Sequence, residues 1–515
     1  MGILTFFIIL LITLFFFVTL LKSLHNHLIL TKKSKQQLPP GPPKIPFFGN
    51  LLWLHKSLSQ MKAIVPSLRA KYGPIFTLHV GSKPIIFIAS NSLAHQALIV
   101  KGAVFADRPL AVPTDKFLTS NQHNIGWAFY GPTWLLLRRN LTSNILQPSR
   151  IKSYACARKW VLDILINRLT SHSFSNDQID AIQHFQHALF SLLAFMCFGD
   201  KLEEKQIQEI KDVQRRLQLS FDKFQILNLF PNLGRIVFYK RWEKLRQLRR
   251  DQENAMVPFI RARKYKKESA NYSNEPFVPY VDTLLDLQLP EEKRKLKETE
   301  IVTLCSEFFT AGTDTTSTAL QWVLGYLVKY PKIQEKLFME IKGVIGDGKK
   351  EINEDDLPKI PYTKAVILEA LRRNPPTHFL IPHAVTKDVK LNGYLVPKNS
   401  IVTFMVAEIG RDPKVWGNPM EFRPERFLKG REEGEEAFDI TGIREIKMIP
   451  FGVGRRMCPG YGLALLHLEY FVANMVLNFK WAAGNVDQKV DLSEKHEFTT
   501  VMKNPLKVHI TPRMY

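Results

Sequence analysis

Apolar positions recur with the period of an α-helix along most of this chain. Such patterns cover residues 134–169, most of the stretch from the 180s to the 260s, and residues 298 to the 340s. Two apolar, β-rich runs come earlier, at residues 75–80 and 84–89, and the Gly-Ser pair between them predicts a hairpin turn. No internal repeat or long flexible linker interrupts the pattern. The chain is therefore predicted to be mainly α with a minor β part, in a single large domain.

The first apolar run differs from the others, because residues 3–21 contain no charged side chain. At helical rise this run spans roughly 28 Å, about the thickness of a bilayer's hydrocarbon core. Lysines follow the run and none precedes it, which places the globular body in the cytosol. A cleaved signal peptide is disfavoured, because a basic start and a small-residue cleavage site are lacking. Residues 1–22 are predicted to be a single-pass signal anchor in the endoplasmic reticulum membrane.

A stiff segment joins this anchor to the globular body. Residues 39–43 read Pro-Pro-Gly-Pro-Pro, and prolines fix φ and remove backbone donors, which prevents helix formation. We predict a basic, Pro-rich hinge over residues 23–44 and a globular domain over residues 45–515.

Composition narrows the possible partners. The chain carries 71 Lys and Arg against 48 Asp and Glu, a net charge of +23, which favours acidic partners, an anionic membrane surface or nucleic acid. The predicted anchor selects membrane lipid. The basic stretch at residues 240–267 is most often a solvated helix face, with membrane contact as the alternative, and no nucleic-acid module accompanies it, so nucleic acid is not predicted. Hydrophobic residues make up 45% of the chain, with 35 Phe, enough for a large core and an apolar pocket. The four scattered cysteines indicate reduced thiols.

Common cofactor and metal motifs are missing or incomplete. Residues 343–350 spell G-x-x-x-x-G-K-K, but a phosphate loop needs Ser or Thr at the last position. The glycine pairs at 452/454 and 460/462 lack the third glycine of a dinucleotide fingerprint. There is no H-E-x-x-H, and the 14 histidines form no ligand cluster along the chain. The sequence therefore predicts that the chain itself binds neither NADPH nor flavin, and that its side chains hold no zinc or non-haem iron.

The strongest chemical signal is Cys458, which lies in the Gly-rich segment 451–460 just before a predicted helix over residues 461–479. The free N–H groups and the positive dipole end of such a helix favour thiolate over thiol, which makes a soft anionic ligand for iron. A lone cysteine is otherwise a buried, inert residue, which is the interpretation given to Cys156 and Cys197.

The residues around Cys458 suit a flat macrocycle. Gly454 and Gly460 permit tight backbone turns close to such a ring. Phe451 can pack against the ring, and Arg456 can pair with a propionate.

A second candidate site lies inside the helical pattern, where residues 311–316 read Ala-Gly-Thr-Asp-Thr-Thr. Glycine and threonine are poor helix formers, and such a local conflict is typical of a functional segment. One helix face is aromatic at one end and small in the middle: Phe308, Ala311, Gly312, Thr315 and Ala319. The Thr315 hydroxyl can bond the Ala311 carbonyl, which bends the helix and leaves a groove for dioxygen. The alternative is a polar patch at a helix contact.

These segments resemble the cytochrome P450 family, whose signature F-x-x-G-x-R-x-C-x-G is matched at every fixed position within residues 451–460. The resemblance implies a cytochrome P450 fold and a haem b cofactor, with Cys458 as the thiolate ligand of the iron. Other details resemble plant microsomal A-type members, particularly family eighty-nine of that nomenclature.

The same resemblance implies roles within the helical segment. Ala311 and Gly312 line the cofactor, Asp314 relays protons, and Thr315 stabilises the activated dioxygen. One oxygen atom then enters the substrate and the other becomes water.

Two further groups carry over from the family. Trp134 and Arg138 match its W-x-x-x-R helix, with Leu135 where many plant members have Arg, and His383 sits at a propionate-binding position. The residues that match the family's buried charged triad are Glu369, Arg372 and Arg426. This triad is predicted to support the fold and the cysteine loop without direct chemistry.

Substrate contacts are implied only by segment, and most of these segments are apolar or aromatic. The side chains predicted to line the substrate pocket are Phe105, Phe129, Phe308, Phe309, Phe379 and Val501. The predicted substrate is a hydrophobic plant metabolite, such as a terpenoid, a phenolic or a fatty-acid-like molecule.

The leading hypothesis is a monooxygenase that takes electrons from NADPH through NADPH–cytochrome P450 reductase, optionally with a small cytochrome b. Two alternatives are a haem-thiolate isomerase or dehydratase, and a non-catalytic haem sensor or lipophile carrier. Asp314 and Thr315 argue against both, because neither alternative requires a proton relay.

Overall fold

The computed structural model describes residues 10, 13–14, 17–18, 37–43, 50, 58–80, 83–173, 178–228, 234, 236–269, 276–346, 349–428, 438–484 and 490–513. Most of the predicted anchor and the first part of the predicted hinge lie outside these residues. The Pro-rich end of the hinge is attached to the body, because Thr77 N–H donates to the Pro40 carbonyl at 2.8 Å and Leu395 N–H to the Gln37 carbonyl at 3.1 Å.

Helices dominate the described residues, as the apolar period predicts. They are α1 (Leu58–Tyr72), α2 (Asn91–His95), α3 (Pro113–Leu118), α4 (Pro132–Leu141), α5 (Pro148–Ser153), α6 (Ala155–Ser173), α7 (Ala181–Phe198), α8 (Glu204–Phe224), α9 (Tyr239–Glu268), α10 (Tyr280–Leu284), α11 (Glu298–Lys329), α12 (Pro331–Ile345), α13 (Pro361–Arg373), α14 (Val406–Gly410) and α15 (Tyr461–Asn478). Prolines divide the long predicted stretches: Pro148 and Pro331 each begin a new helix, because proline lacks the N–H that a helix interior requires.

The strands form one four-stranded sheet and several smaller ones. They are β1 (Ile75–Val80), β2 (Lys83–Ile88), β3 (Ile179–Asp180), β4 (Gln288–Leu289), β5 (Arg294–Lys295), β6 (His383–Ala384), β7 (Val389–Leu391), β8 (Tyr394–Val396), β9 (Ile401–Phe404), β10 (Phe479–Ala483), β11 (Glu494–His496), β12 (Thr500–Met502) and β13 (Lys507–Pro512). The predicted pairing of β1 with β2 is confirmed, with Ile75 opposite Ile88, and the larger sheet has the order β1-β2-β9-β6.

The long helix α11 forms the centre of the fold. It contacts α7, α9, α12, α13 and α15, and residues 300–305 and 316–328 are buried. Among the described residues, α7 alone has the length and hydropathy of a membrane span, and 78% of it is buried inside the structure. Helix α7 is therefore a core helix that packs against α11.

Candidate active site

The loop that carries Cys458 is closed by backbone geometry. The Cys458 N–H donates to the Phe451 carbonyl at 2.8 Å, and α15 begins three residues later. Gly454 has φ of 72°, and a Cβ there would lie 2.2 Å from a backbone oxygen, so only glycine fits. Gly460 has φ of −91°, and a Cβ there would meet open space.

The state of the Cys458 thiol depends on opposing effects. Burial raises its pKa, while the N–H of Gly460 and the charge of Arg138 lower it. The effect of burial is the larger one, so the pKa of Cys458 is raised overall. The helix end alone therefore does not produce the predicted preference for thiolate. A bound metal ion deprotonates a coordinating thiol outright, so an iron bound here would supply the thiolate form. Of the other cysteines, Cys197 is buried as predicted, but Cys156 is exposed.

Cationic side chains gather beside the Cys458 loop. Arg138 donates from Nη2 to the Met457 carbonyl at 2.7 Å. Arg456 donates from Nε to the Ala106 carbonyl at 2.6 Å, and its guanidinium lies 4.3 Å from the Trp134 ring centre. Trp134 Nε1 and Arg456 Nη1 are buried and have no acceptor within the described residues. Buried donors of this kind require a partner, and a bound carboxylate would supply one.

Arg108 belongs to the same group and was not found from the sequence, because a lone arginine in a loop gives no periodic signal. It is 5% exposed, and donates to the carbonyls of Gly126 at 2.7 Å and Ile381 at 2.9 Å. Burial and the nearby Arg456 lower the pKa of Arg108 to about 9. Burial likewise lowers the pKa of Arg456 to about 10. A cofactor with two carboxylates would supply the negative charge that this group lacks, so these residues fit haem.

His383 lies in the same group in its neutral form. Burial, followed by the charge of Arg108, lowers its pKa to about 3. Its Nδ1 lies 2.6 Å from the Phe105 carbonyl oxygen, so the ring proton sits on Nδ1 and Nε2 is an acceptor. His383 can therefore donate to a propionate, as predicted, only when Nε2 is protonated. This requires that the bound propionate raise the pKa of the ring.

The middle of α11 has an opening in its packing. Ala311 is exposed, although residues 300–305 before it and 316–328 after it are buried. The Thr315 Oγ1 donates to the Ala311 carbonyl at 2.6 Å, which is the predicted hydrogen bond. Gly312 has a structural role as well, because a Cβ there would lie 2.6 Å from a methyl group of Leu193 on α7. Close packing of α11 on α7 therefore requires this glycine.

Asp314 faces a polar recess between α8 and α11. Its Oδ2 accepts from Gln218 Nε2 at 2.6 Å. Burial raises the pKa of Asp314, although Gln218 and the charge of Arg215 act in the opposite direction. The recess encloses about 430 Å³ including its mouth, and Gln214 and Thr313 each place an unpartnered polar atom near it. Water is the available partner for such atoms.

The predicted pocket residues separate into two groups. Phe105 is fully buried in the core. Phe309 is also buried, with its ring centre 4.9 Å from that of Phe190, and it lines the recess that Asp314 faces. Phe308 is half-buried on the same face as Ala311. The remaining predicted side chains keep exposed surface: Phe129, Phe379 and Val501.

Glu307 lies one turn before Ala311 and was also missed. Its carboxylate accepts the backbone N–H groups of Ile125 at 2.8 Å and Gly126 at 2.6 Å, and the side-chain amide of Asn124 at 3.1 Å. Burial raises the pKa of Glu307 to about 7, against these N–H groups and Arg108. The sequence signal that could have identified Glu307 is a carboxylate between apolar positions of a predicted helix. Glu307 fastens the loop around residues 120–126 to α11.

The charged triad is buried at the end of α13. Glu369 and Arg372 form two contacts, of 2.7 Å and 2.8 Å, and both side chains are fully buried. Arg426 Nε lies 3.4 Å from Oε1 of Glu369. The backbone N–H of Arg423 donates to the same oxygen at 2.9 Å. The triad therefore joins α13 to the segment that precedes the cysteine loop.

Comparison with known proteins agrees with this geometry. The chain matches the family model described as Cytochrome P450 over residues 39–511. Cytochrome P450 89A9 of Arabidopsis thaliana is 50% identical over 492 residues, which cover 93% of this chain and 94% of that protein. Flavonoid 3'-monooxygenase CYP75B137 of Crocosmia x crocosmiiflora is 30% identical over 498 residues, 95% of each chain. A solved zebra fish cytochrome P450 with abiraterone has a TM-score of 0.69 at 23% identity, covers 88% of this chain and 99% of that one, and shares the fold.

Proposed function

The chain belongs to the cytochrome P450 family and is a haem-thiolate monooxygenase, and we propose that it oxidises a hydrophobic plant metabolite with electrons from NADPH through a partner reductase. The observation that carries this proposal is the middle of α11, where Ala311 is exposed, Thr315 donates to the Ala311 carbonyl, and Asp314 is a half-buried acid with a raised pKa. A proton donor beside an open helix groove serves oxygen activation. A carrier or an isomerase has no use for it.

The side chains around the cofactor site have separate tasks. Haem held by Cys458 would supply dioxygen binding and electron transfer. Trp134, Arg138 and Arg456 would hold the propionates, because their unpartnered or cationic donors face one region. The exposed Ala311 would leave room for the cofactor and for dioxygen beside α11.

Proton delivery is the task we assign to Asp314 and Thr315. Because burial raises the pKa of Asp314, its carboxyl binds a proton more readily than an exposed aspartate does. Water in the recess beside Gln218 would restore that proton from solvent. The Thr315 hydroxyl must rotate away from the Ala311 carbonyl before its proton can reach another acceptor.

Asp314→Asn is expected to lower the turnover number about 100-fold, because general acids contribute at least that factor. The reduced carbon monoxide spectrum should keep its thiolate-type band, since the cofactor site is untouched. Asp212→Asn is the control, because Asp212 is an exposed residue of the same recess. Equal turnover in Asp314→Asn and wild type would contradict the relay.

Reductase-dependent NADPH consumption tests the monooxygenase proposal as a whole. The purified chain, a plant NADPH–cytochrome P450 reductase and a panel of terpenoids, phenolics and fatty acids are combined, with and without a small cytochrome b. Substrate-stimulated consumption together with product containing one atom from labelled dioxygen is expected. Product formation without NADPH would support an isomerase or dehydratase, and binding without turnover would support a carrier.

The substrate class and location belong to the same proposal. One relative is by its name a flavonoid monooxygenase, which supports a hydrophobic plant metabolite as substrate. Phe308, half-buried on the same helix face as Ala311, offers an apolar contact for such a molecule. The uncharged run at residues 3–21 supports a single-pass anchor in the endoplasmic reticulum membrane, with the domain on the cytosolic face. Membrane lipid would then be a partner and a source of apolar substrate.

A further inference from the structure

Two histidines and a glutamate meet where the β11–β12 hairpin contacts the segment that follows α13. Glu494 and His496 are two residues apart on β11, so their side chains project to the same side of the strand. His378 approaches from the segment after α13, with Nε2 2.9 Å from Oε2 of Glu494. The two histidine rings lie 4.6 Å apart, and the donor atoms of the three residues lie within 4.8 Å of one another.

Neighbouring side chains orient two of these donors. Oε1 of Glu494 accepts from Asn374 at 2.8 Å and from Arg411 at 2.5 Å, while Oε2 is turned toward His378. His496 Nδ1 lies 3.3 Å from the Thr500 hydroxyl, and a proton donated there leaves the lone pair on Nε2. Partners of this kind hold metal ligands in place, because they select the tautomer and the carboxylate rotamer.

The electrostatics keep the glutamate charged. Burial alone would raise the pKa of Glu494, but the contact with His378 and the charge of Arg411 lower it to about 2. His378 Nε2 is buried without a well-aligned hydrogen bond. The cluster therefore offers one carboxylate oxygen and two imidazoles. The positive charge of Arg411 repels any cation at this site. That repulsion disfavours hard ions in particular, because their binding depends on charge alone.

We propose that His378, Glu494 and His496 bind a divalent transition metal of the zinc class. Two imidazoles and one carboxylate are a known donor set for zinc, and imidazole nitrogen selects such metals over magnesium or calcium. Tetrahedral ligands around zinc lie about 3.4 Å apart, so shifts of about 1 Å would complete the site. The sequence-based expectation of no histidine cluster fails here, because the fold unites residues from distant parts of the chain.

Metal binding would fasten the hairpin to its neighbours. Thr500 N–H donates to the Pro376 carbonyl at 2.7 Å, and Trp322 of α11 donates to the Thr500 carbonyl at 2.8 Å. The hairpin is thus already attached to α11 and to the segment after α13. A metal that joins His378 to β11 would add a third link on the exposed side of this contact.

The test uses the full-length holoenzyme in detergent, without a histidine tag and after removal of a chelator. Zinc chloride alone is titrated by calorimetry, and bound zinc is counted by mass spectrometry after gel filtration. Wild type is expected to retain one zinc per chain, and the double variant His378→Ala/His496→Ala to bind it at least about 100-fold more weakly. Zinc should also slow amide hydrogen exchange over residues 494–502 in wild type only.

A matched control is a second close imidazole pair among the described residues, His172 and His184, whose ring centres lie 5.2 Å apart. The double variant His172→Ala/His184→Ala should keep the zinc. An unchanged carbon monoxide spectrum shows that each variant is folded; if the His378/His496 pair does not fold, each single variant should still lose at least about 10-fold in affinity. The proposal is overturned if wild type retains no zinc, or if variants at His378 and His496 retain as much as wild type. Neither result bears on the oxygenase activity.

Discussion

Replacing Cys458 with alanine is expected to abolish the thiolate-type band in the reduced carbon monoxide spectrum and all substrate oxidation. The reason is geometric, since Cys197 and Cys305 are buried in the core and Cys156 is exposed on α6, so no other described cysteine can take its place. The variant also removes the charge that partners Arg138, whose pKa is lowered by burial and raised by Cys458.

The measurement is the difference spectrum of purified protein, with bound haem and far-UV circular dichroism recorded beside it. Cys156→Ala is the control, because it removes a thiol at an exposed position and should leave the band unchanged. A persistent thiolate-type band in Cys458→Ala would refute the ligand assignment. Loss of helical signal would show an effect on folding, and Cys458→Ser would then be measured instead as the nearly isosteric change.

Glu369→Gln is expected to lower the free energy of unfolding by about 3 to 5 kcal/mol, because it leaves Arg372 and Arg426 buried without their counter-charge. A loss of that size is a large part of the 5 to 15 kcal/mol that stabilises an ordinary domain. Urea unfolding followed by circular dichroism, at equal haem content, gives the difference through the change in midpoint.

Glu298→Gln is the matched control for this variant. Glu298 also pairs with an arginine in two contacts, both of 2.9 Å with Arg261, but both side chains are exposed. We expect a change below about 1 kcal/mol there, because exposed ion pairs contribute little. If Glu369→Gln lowers the free energy of unfolding no more than Glu298→Gln does, burial does not explain the contribution of the triad to stability.

The triad also connects the fold to the chemistry. The Arg372 guanidinium lies 5.1 Å from the Trp416 ring centre, and Trp416 Nε1 donates to the Lys447 carbonyl at 3.1 Å, just before the cysteine loop. Asn91 donates to the same carbonyl at 3.0 Å. We therefore expect the Glu369→Gln variant to lose haem at a lower urea concentration than the one at which α13 unfolds.

Local patterns in the sequence predicted the features that depend on near neighbours. The signature at residues 451–460 predicted the cofactor class, and the family match over residues 39–511 confirms it. The helical period predicted α11, and the spacing of Ala311 and Thr315 predicted a hydrogen bond that is present at 2.6 Å. Each of these follows from residues within one or two turns, whose relative positions are set by backbone geometry.

Contacts between distant segments could not be obtained in this way. The burial of Phe105 and Phe309 could not be obtained from the sequence, because packing between elements decides which face of each element is covered. Arg108 and Glu307 carry no periodic signal, and their significance comes from partners on other elements.

The sequence by itself determined the family and predicted the iron ligand and the helix beside the cofactor, because each is encoded in a short segment whose geometry is local. The tertiary structure alone decided the charge state of the groups in these segments. Burial raises the pKa of Cys458 and lowers that of His383, and burial is a property of the whole fold. The tertiary structure likewise brought His378 to Glu494 and His496, since only the packing of β11 against the segment after α13 unites them.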